Sequence, residues 1–161
     1  EEKLQTCKEH GADEVLLYPS GKMDRDQQKK LSDDIKELTS GQGADVVYDP
    51  VGGDYAEPAL RATAWEGRYL VVGFAAGDIP KIPLNLALLK GCQIVGVFWG
   101  AFKGREVEAH NANVDELLKL YGDGHLKPHI SSIYSLEEGS KAISDLAERK
   151  ARGKVIVQVR E

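Results

Sequence analysis

The chain has 161 residues, 42% hydrophobic and 29% charged, with a formal net charge of −5. That length holds one ordinary globular domain or part of a larger one, and the mild acidity gives no global pull toward nucleic acid or an anionic membrane surface. The apolar runs are strand-length, well short of the roughly 18 residues of a membrane span, and two cysteines, Cys7 and Cys92, make no disulfide framework and point to a reducing compartment.

Leu4, Cys7 and His10 recur at helical spacing and are stopped by Gly11. Nothing in these opening residues reads as a signal or transit peptide. A chain that opens on Glu1 inside a helical pattern reads as the later part of a longer protein. Residues 14–18 (Glu-Val-Leu-Leu-Tyr) read as a short strand closed by Pro19-Ser20-Gly21. Leu31, Ile35 and Leu38 form one apolar helical stripe, begun by Asp24 or Asp26 and ended by Gly41. Residues 45–49 form a strand running into Pro50-Val51-Gly52-Gly53. A helix over 54–64 follows, with Asp54 and Glu57 as its capping box and Pro58 early enough to be tolerated.

The strand 68–73 runs directly into Gly73-Phe74-Ala75-Ala76-Gly77. Pro80 and Pro83 mark a loop, 84–89 a short helix and 92–98 a further strand. Val107, Val114, Leu117, Leu118 and Tyr121 mark a long amphipathic helix, broken by Gly122-Asp123-Gly124. Residues 130–134 are extended. Ser135 and Glu138 form a second capping box for a helix to about residue 150, with Ile143 and Leu146 inward. Gly153 stops that helix, and 155–159 is a last strand. The alternation of strand and helix predicts an α/β fold with a parallel sheet.

Two of these strands matter most for function. The runs 45–49 and 68–73 are too continuous for half-wet strands, as expected of strands covered on both faces. Glycine follows each at once, and ligands of such sheets bind at the carboxyl ends of the strands. The chain has no G-x-G-x-x-G phosphate turn. Gly41-Gln42-Gly43 and Gly122-Asp123-Gly124 follow helices and read as helix stops.

Metal chemistry has little support. Cys7 and His10 share a helix face, but two ligands do not make a zinc site, and His125 and His129 bracket Pro128, so no regular helix sets their spacing. The pairs Asp33-Asp34 and Glu137-Glu138 complement helix starts or lie on exposed faces. No nucleophile elbow is present. The residues therefore nominate no catalytic side chain and no metal ligand.

Four strings, in order and well spaced, carry a resemblance. They are Gly11-Ala12-Asp13-Glu14-Val15, the run from Gly43 to Gly53 (Gly-Ala-Asp-Val-Val-Tyr-Asp-Pro-Val-Gly-Gly), Leu89-Lys90-Gly91, and Gly96-Val97-Phe98-Trp99-Gly100. The chain resembles the nucleotide-binding half of the medium-chain dehydrogenase/reductase superfamily. The branch it is most similar to is that of the zinc-free quinone oxidoreductases, the group of zeta-crystallin and the quinone oxidoreductase-like proteins.

The resemblance implies a partial Rossmann-type parallel sheet flanked by helices, lacking its first two strands and Gly-rich loop. Residues 1–127 would be the later part of the nucleotide-binding domain. Residues 128–161 would form a helix-strand segment returning to the catalytic domain. The implied function is hydride transfer from NADPH to a quinone or conjugated carbonyl, in the cytoplasm or the mitochondrion, with no nucleic-acid or membrane partner.

Lys3 would meet the 2′-phosphate as a point charge, and Tyr18 would lie near that phosphate or the adenine. Val51 and Gly52 would pass backbone along the cofactor, and Gly73, Phe74 and Ala75 would line the nicotinamide ribose. Phe98, Trp99 and Gly100 would stand near the nicotinamide amide and the quinone mouth, and Lys154 would return to the cleft. The alternatives are an enoyl-thioester reductase of the same superfamily and a non-enzymatic nucleotide-binding or structural protein.

The resemblance also implies a conflict. Strands 14–18 and 45–49 would face a gap two strands wide, with costly bare edges. Three resolutions are open: residues outside this sequence fill the gap, the two strands close up, or chains associate. A homodimer through the strand 92–98 is the expected assembly.

Overall fold

The computed structural model describes residues 1–19 and 21–160; Ser20, in the predicted turn after residue 18, and Glu161, at the end of the predicted 128–161 segment, lie outside the described residues. The chain divides into two compact units. One is Gly11–Ala101, and the other joins Glu1–His10 to the chain from Phe102 onward.

The first unit holds the longer sheet. Helix α2 (Arg25–Leu38) follows helix α1 (Glu2–Glu9) of the other unit. Asp24 caps α2 through a complete capping box with Gln27. The end of α2 is a Schellman motif: Ser40 N–H donates to the Glu37 carbonyl at 3.2 Å and Gly41 N–H to the Lys36 carbonyl at 2.7 Å. The left-handed residue of that motif is Ser40, with φ 53°, one position before the predicted glycine stop.

Strands β1 (Ala44–Asp49), β2 (Thr63–Val71) and β3 (Gln93–Gly96) form one parallel sheet in that order. Between β1 and β2 lie a 3-10 turn (Gly53–Tyr55) and helix α3 (Ala56–Arg61). Helix α4 (Asn85–Lys90) precedes β3. Ala56 and Leu60 of α3 pack with Tyr69 of β2 and Leu86 of α4 to make the buried core. The predicted helix over 54–64 is shorter than expected. Asp54 does not cap it, because its carboxylate accepts the Met23 N–H at 2.9 Å, while Glu57 pairs with Arg61. β2 then starts at Thr63, five residues before the prediction.

The predicted strand 14–18 does not form. Its backbone has no ladder, because a strand exists only beside a partner, and no strand pairs with it among the described residues. The segment instead lines an apolar cleft of about 320 Å³ with Leu31, Ile35 and Leu38 of α2 and Val47 and Tyr48 of β1. The two strands do not close up, and β1 keeps one open edge.

The division between the units falls within helix α5 (Trp99–Arg105), and in the second unit helices α6 (Val107–Gly122) and α7 (Gly139–Ala147) accompany a two-stranded parallel sheet of β4 (Ile130–Ser135) and β5 (Lys154–Gln158). Helix α1 is tied to this unit. Lys3 Nζ donates to the Arg149 carbonyl at 2.7 Å, Arg152 pairs with Glu2 at 3.1 Å, and the rings of His10 and His129 meet edge to face at 4.9 Å.

The second capping box is half formed. Ser135 N–H reaches the Glu138 carboxylate at 3.4 Å, but Glu138 is itself the N-cap residue of α7 and makes no side-chain cap bond. The inward face of α7 is also not the predicted one. Ala142 is buried, whereas Ile143 and Leu146 are 70% and 52% exposed, since no element covers them among the described residues.

Candidate functional site

The register of the first unit's sheet sets Asp49 opposite Val71 and Val71 opposite Gly96. Three parallel strands thus end level, and their following loops leave from one edge. In open α/β sheets that edge is where ligands bind.

The first two loops are hydrogen-bonded to each other. Ala75 N–H donates to the Pro50 carbonyl at 3.1 Å, Ala76 N–H to the Val51 carbonyl at 2.9 Å, and Gly53 N–H to the Asp78 carbonyl at 3.2 Å. Close approach requires the glycines. A Cβ at Gly52 would lie 2.8 Å from Phe74 Cδ1, one at Gly53 2.8 Å from Ala76 Cβ, and one at Gly73 3.2 Å from the Pro50 carbonyl oxygen.

Asp49 organises this junction. It is 9% exposed, and its Oδ1 accepts the N–H groups of Val51 at 2.8 Å and Gly52 at 2.9 Å. Its Oδ2 accepts the hydroxyl of Tyr69, which is 3% exposed. Its backbone carbonyl accepts from Val72 at 3.0 Å and Gly73 at 3.3 Å. Burial raises the phenol pKa of Tyr69, and the hydrogen bond and charge of Asp49 raise it further. Neither residue is found by reading the sequence for ligand contacts. The only local signal is an aspartate two and three residues before the N–H groups it accepts, a turn-forming spacing.

These bonds define what this backbone can offer a ligand. The N–H groups of Val51 and Gly52 are both spent on Asp49, and the Val51 carbonyl on Ala76, so this backbone offers contact surface rather than donors. Val51, Gly52, Gly73, Phe74 and Ala75 are brought together. The exposed ring of Phe74 adds an apolar face.

The third loop differs from its prediction. β3 runs from Gln93 to Gly96, shorter than the predicted strand 92–98, because the chain turns into α5 at Trp99. Phe98 and Trp99 are exposed, and a Cβ at Gly100 would stand 3.0 Å from the Phe98 ring. Tyr18 lies in the apolar cleft that also reaches Val51, and its ring is 5.2 Å from that of Tyr55. Lys3 and Lys154 belong to the other unit. There Lys3 holds the Arg149 carbonyl, and Lys154 is an exposed residue at the start of β5.

No group of three or more His, Cys, Asp or Glu is placed to hold a metal ion among the described residues. Nor is any helix among them long and apolar enough to cross a membrane.

Comparison with known proteins identifies the architecture. The family model described as zinc-binding dehydrogenase matches residues 10–157. The quinone oxidoreductase-like protein 2 homolog of Nematostella vectensis is 36% identical over 161 residues, covering 99% of this chain and 42% of the relative. Quinone oxidoreductase-like protein 2 of Bos taurus is 34% identical, covering 99% and 44%. The chain therefore spans less than half the length of these curated relatives.

Among solved structures, mycobacterial Rv1454c complexed with NADPH superposes with a TM-score of 0.83 at 25% identity, covering 98% of this chain and 47% of that one. An NAD-dependent alcohol dehydrogenase superposes with a TM-score of 0.78 at 28% identity, covering 99% and 41%. On the matched span, the order of the strings and the level strand ends, the chain belongs to the zinc-binding dehydrogenase family of the medium-chain dehydrogenase/reductase superfamily.

Proposed function

We propose that the protein of which this chain is part reduces a quinone or another conjugated carbonyl with NADPH. The observation that carries the reading is the pair of loops hydrogen-bonded together at level strand ends. They present Phe74 and an inward-bonded backbone to a flat ligand. Such a wall suits the nicotinamide end of a dinucleotide, which needs shape and exclusion of water more than donors. NADPH, when bound, supplies the hydride.

The role of this chain is to hold and orient. Gly73, Phe74 and Ala75 line the ribose side, and Val51 and Gly52 support them from beneath. Phe98, Trp99 and Gly100 wall the acceptor, where exposed aromatics match a flat apolar substrate. Lys3 keeps two further N–H donors beyond its bond to Arg149, enough to meet a 2′-phosphate. Tyr18 supports the adenine side. Residues 128–161 belong with the catalytic domain of the whole protein. No side chain here is assigned an acid–base step, because a quinone acceptor demands little proton chemistry at the moment of hydride transfer.

The assembly proposed is a homodimer through residues 92–98. β3 is an edge strand of its sheet, and an unpaired edge is a template for a second strand. Light scattering at micromolar concentration should return twice the protomer mass, and a monomeric mass overturns the dimer.

The functional reading is tested on the full-length protein by calorimetry with NADPH and NADH, and by turnover with 1,2-naphthoquinone. NADPH binding with turnover is expected. Tighter binding of NADH overturns the choice of cofactor, and binding of neither overturns the enzyme reading.

A further inference from the structure

Asp49 accepts five hydrogen bonds, from Val51, Gly52, Tyr69, Val72 and Gly73. Four of those donors are backbone groups of the two loops that form the candidate site. The fifth is a buried phenol 20 residues away in sequence. No cation pairs with this carboxylate among the ion pairs of the described residues. A buried carboxylate without a counter-ion is costly unless its lone pairs are filled by donors. Here three donors occupy three of its roughly four acceptor sites, so the loop conformation and the solvation of Asp49 depend on each other.

That dependence is directional. If Val51 and Gly52 leave, Oδ1 is left bare inside the protein, and if Tyr69 leaves, Oδ2 is. The loop therefore has a preferred geometry that it would not have if its glycines were held by solvent. Gly52 sits at φ 67° and ψ −144°, a conformation open to glycine and to almost no other residue. Among the conformations open to glycine, the Asp49 bonds select this one. Through the bonds from Ala75 and Ala76, the same hub fixes the position of the Phe74 segment.

We propose that Asp49 and Tyr69 are positioning residues that hold the 51–52 and 73–75 backbone in the one arrangement that seats the nicotinamide end of the cofactor. The inference rests on the reading of the site as a nicotinamide site. Neither residue touches the reacting atoms; Asp49 acts through the backbone and Tyr69 acts through Asp49.

The test uses the full-length protein with Asp49→Leu, Asp49→Asn and Tyr69→Phe. Three readouts are taken: amide exchange of Val51 and Gly52, NADPH affinity by calorimetry, and the isotope effect with NADPH deuterated at the transferred position. Asn keeps an oxygen for the two N–H groups and can donate its amide to the Tyr69 oxygen, so Asp49→Asn should stay near wild type. Asp49→Leu should speed exchange of both amides and weaken NADPH about tenfold. It should also raise the isotope effect as a misaligned hydride transfer becomes limiting. Tyr69→Phe should fall between them, and it carries the test with Asn if the Leu variant does not fold.

Variants that melt earlier yet keep wild-type affinity and isotope effect overturn the proposal, since a merely structural role does just that. Wild-type protein that binds neither NADPH nor NADH overturns the functional reading and this inference together. Wild-type binding with insensitive variants overturns this inference alone.

Discussion

Gly52 and Phe74 meet across the two strand-end loops, with Phe74 Cδ1 only 2.8 Å from where a Cβ on Gly52 would stand. The glycine is buried and has positive φ. Alanine there meets two penalties, a backbone region open almost only to glycine and an aromatic ring that must move. Gly52→Ala should destabilise by about 1–3 kcal/mol and weaken NADPH binding, because the displaced ring is part of the proposed wall. Thermal unfolding and calorimetry read the two effects, and an unchanged melting temperature would contradict the geometry.

Gly43 is a harsher case. It has φ 90°, and a Cβ there would lie 2.4 Å from the Ala62 carbonyl oxygen, the same oxygen that accepts Ala44 N–H at 2.9 Å. The obstruction is backbone and is already committed to the start of β1. Gly43→Ala should cost about 2–4 kcal/mol, more than Gly52→Ala, as measured by urea denaturation. A smaller loss than at Gly52 would show that the β1 start is soft.

Ser40 offers a gain. It holds the left-handed position of the α2 Schellman motif, which favours glycine. Ser40→Gly should stabilise by roughly 0.5–1 kcal/mol, with no change in cofactor affinity. Destabilisation would mean that the serine side chain makes a contact of its own.

Alkaline pH should act through Tyr69. Its pKa is raised above the ordinary 10.0, so the folded state holds the phenol proton more tightly than the unfolded chain. The stability this contributes is complete below pH 10.0 and is lost as the pH rises toward the elevated folded value. Phenolate absorbance should therefore show one tyrosine that does not ionise until the protein unfolds. In Tyr69→Phe that late-titrating group should be missing.

Much of the fold could be read from residue pattern. The runs at 45–49 and 68–73 announced parallel strands, and Asp24 with Gln27 formed the cap that an aspartate before an apolar stripe suggests. The failures have distinct causes. Residues 14–18 have strand composition, but composition cannot supply the neighbouring strand that a ladder needs. Asp54 and Glu57 have capping spacing, yet Met23 and Arg61 compete successfully for their carboxylates. Ile143 and Leu146 are apolar, but no surface among the described residues receives them. At the candidate site, the glycines after each strand were legible as the place to look. The Asp49–Tyr69 pair was not, because it joins residues 20 apart and exists only once β1 and β2 are in register.

The level ends of β1, β2 and β3 also separate two kinds of change. A loop rooted at one strand end can lengthen or shift composition without moving the roots of the others. The first two loops are laced together and resist such drift. The third leaves Gly96 and carries exposed Phe98 and Trp99, and its Val97 N–H donates to the Val71 carbonyl at 2.9 Å. Sequence change among related chains should therefore be most constrained in the segment from Asp49 to Gly53, whose bonds tie two loops at once.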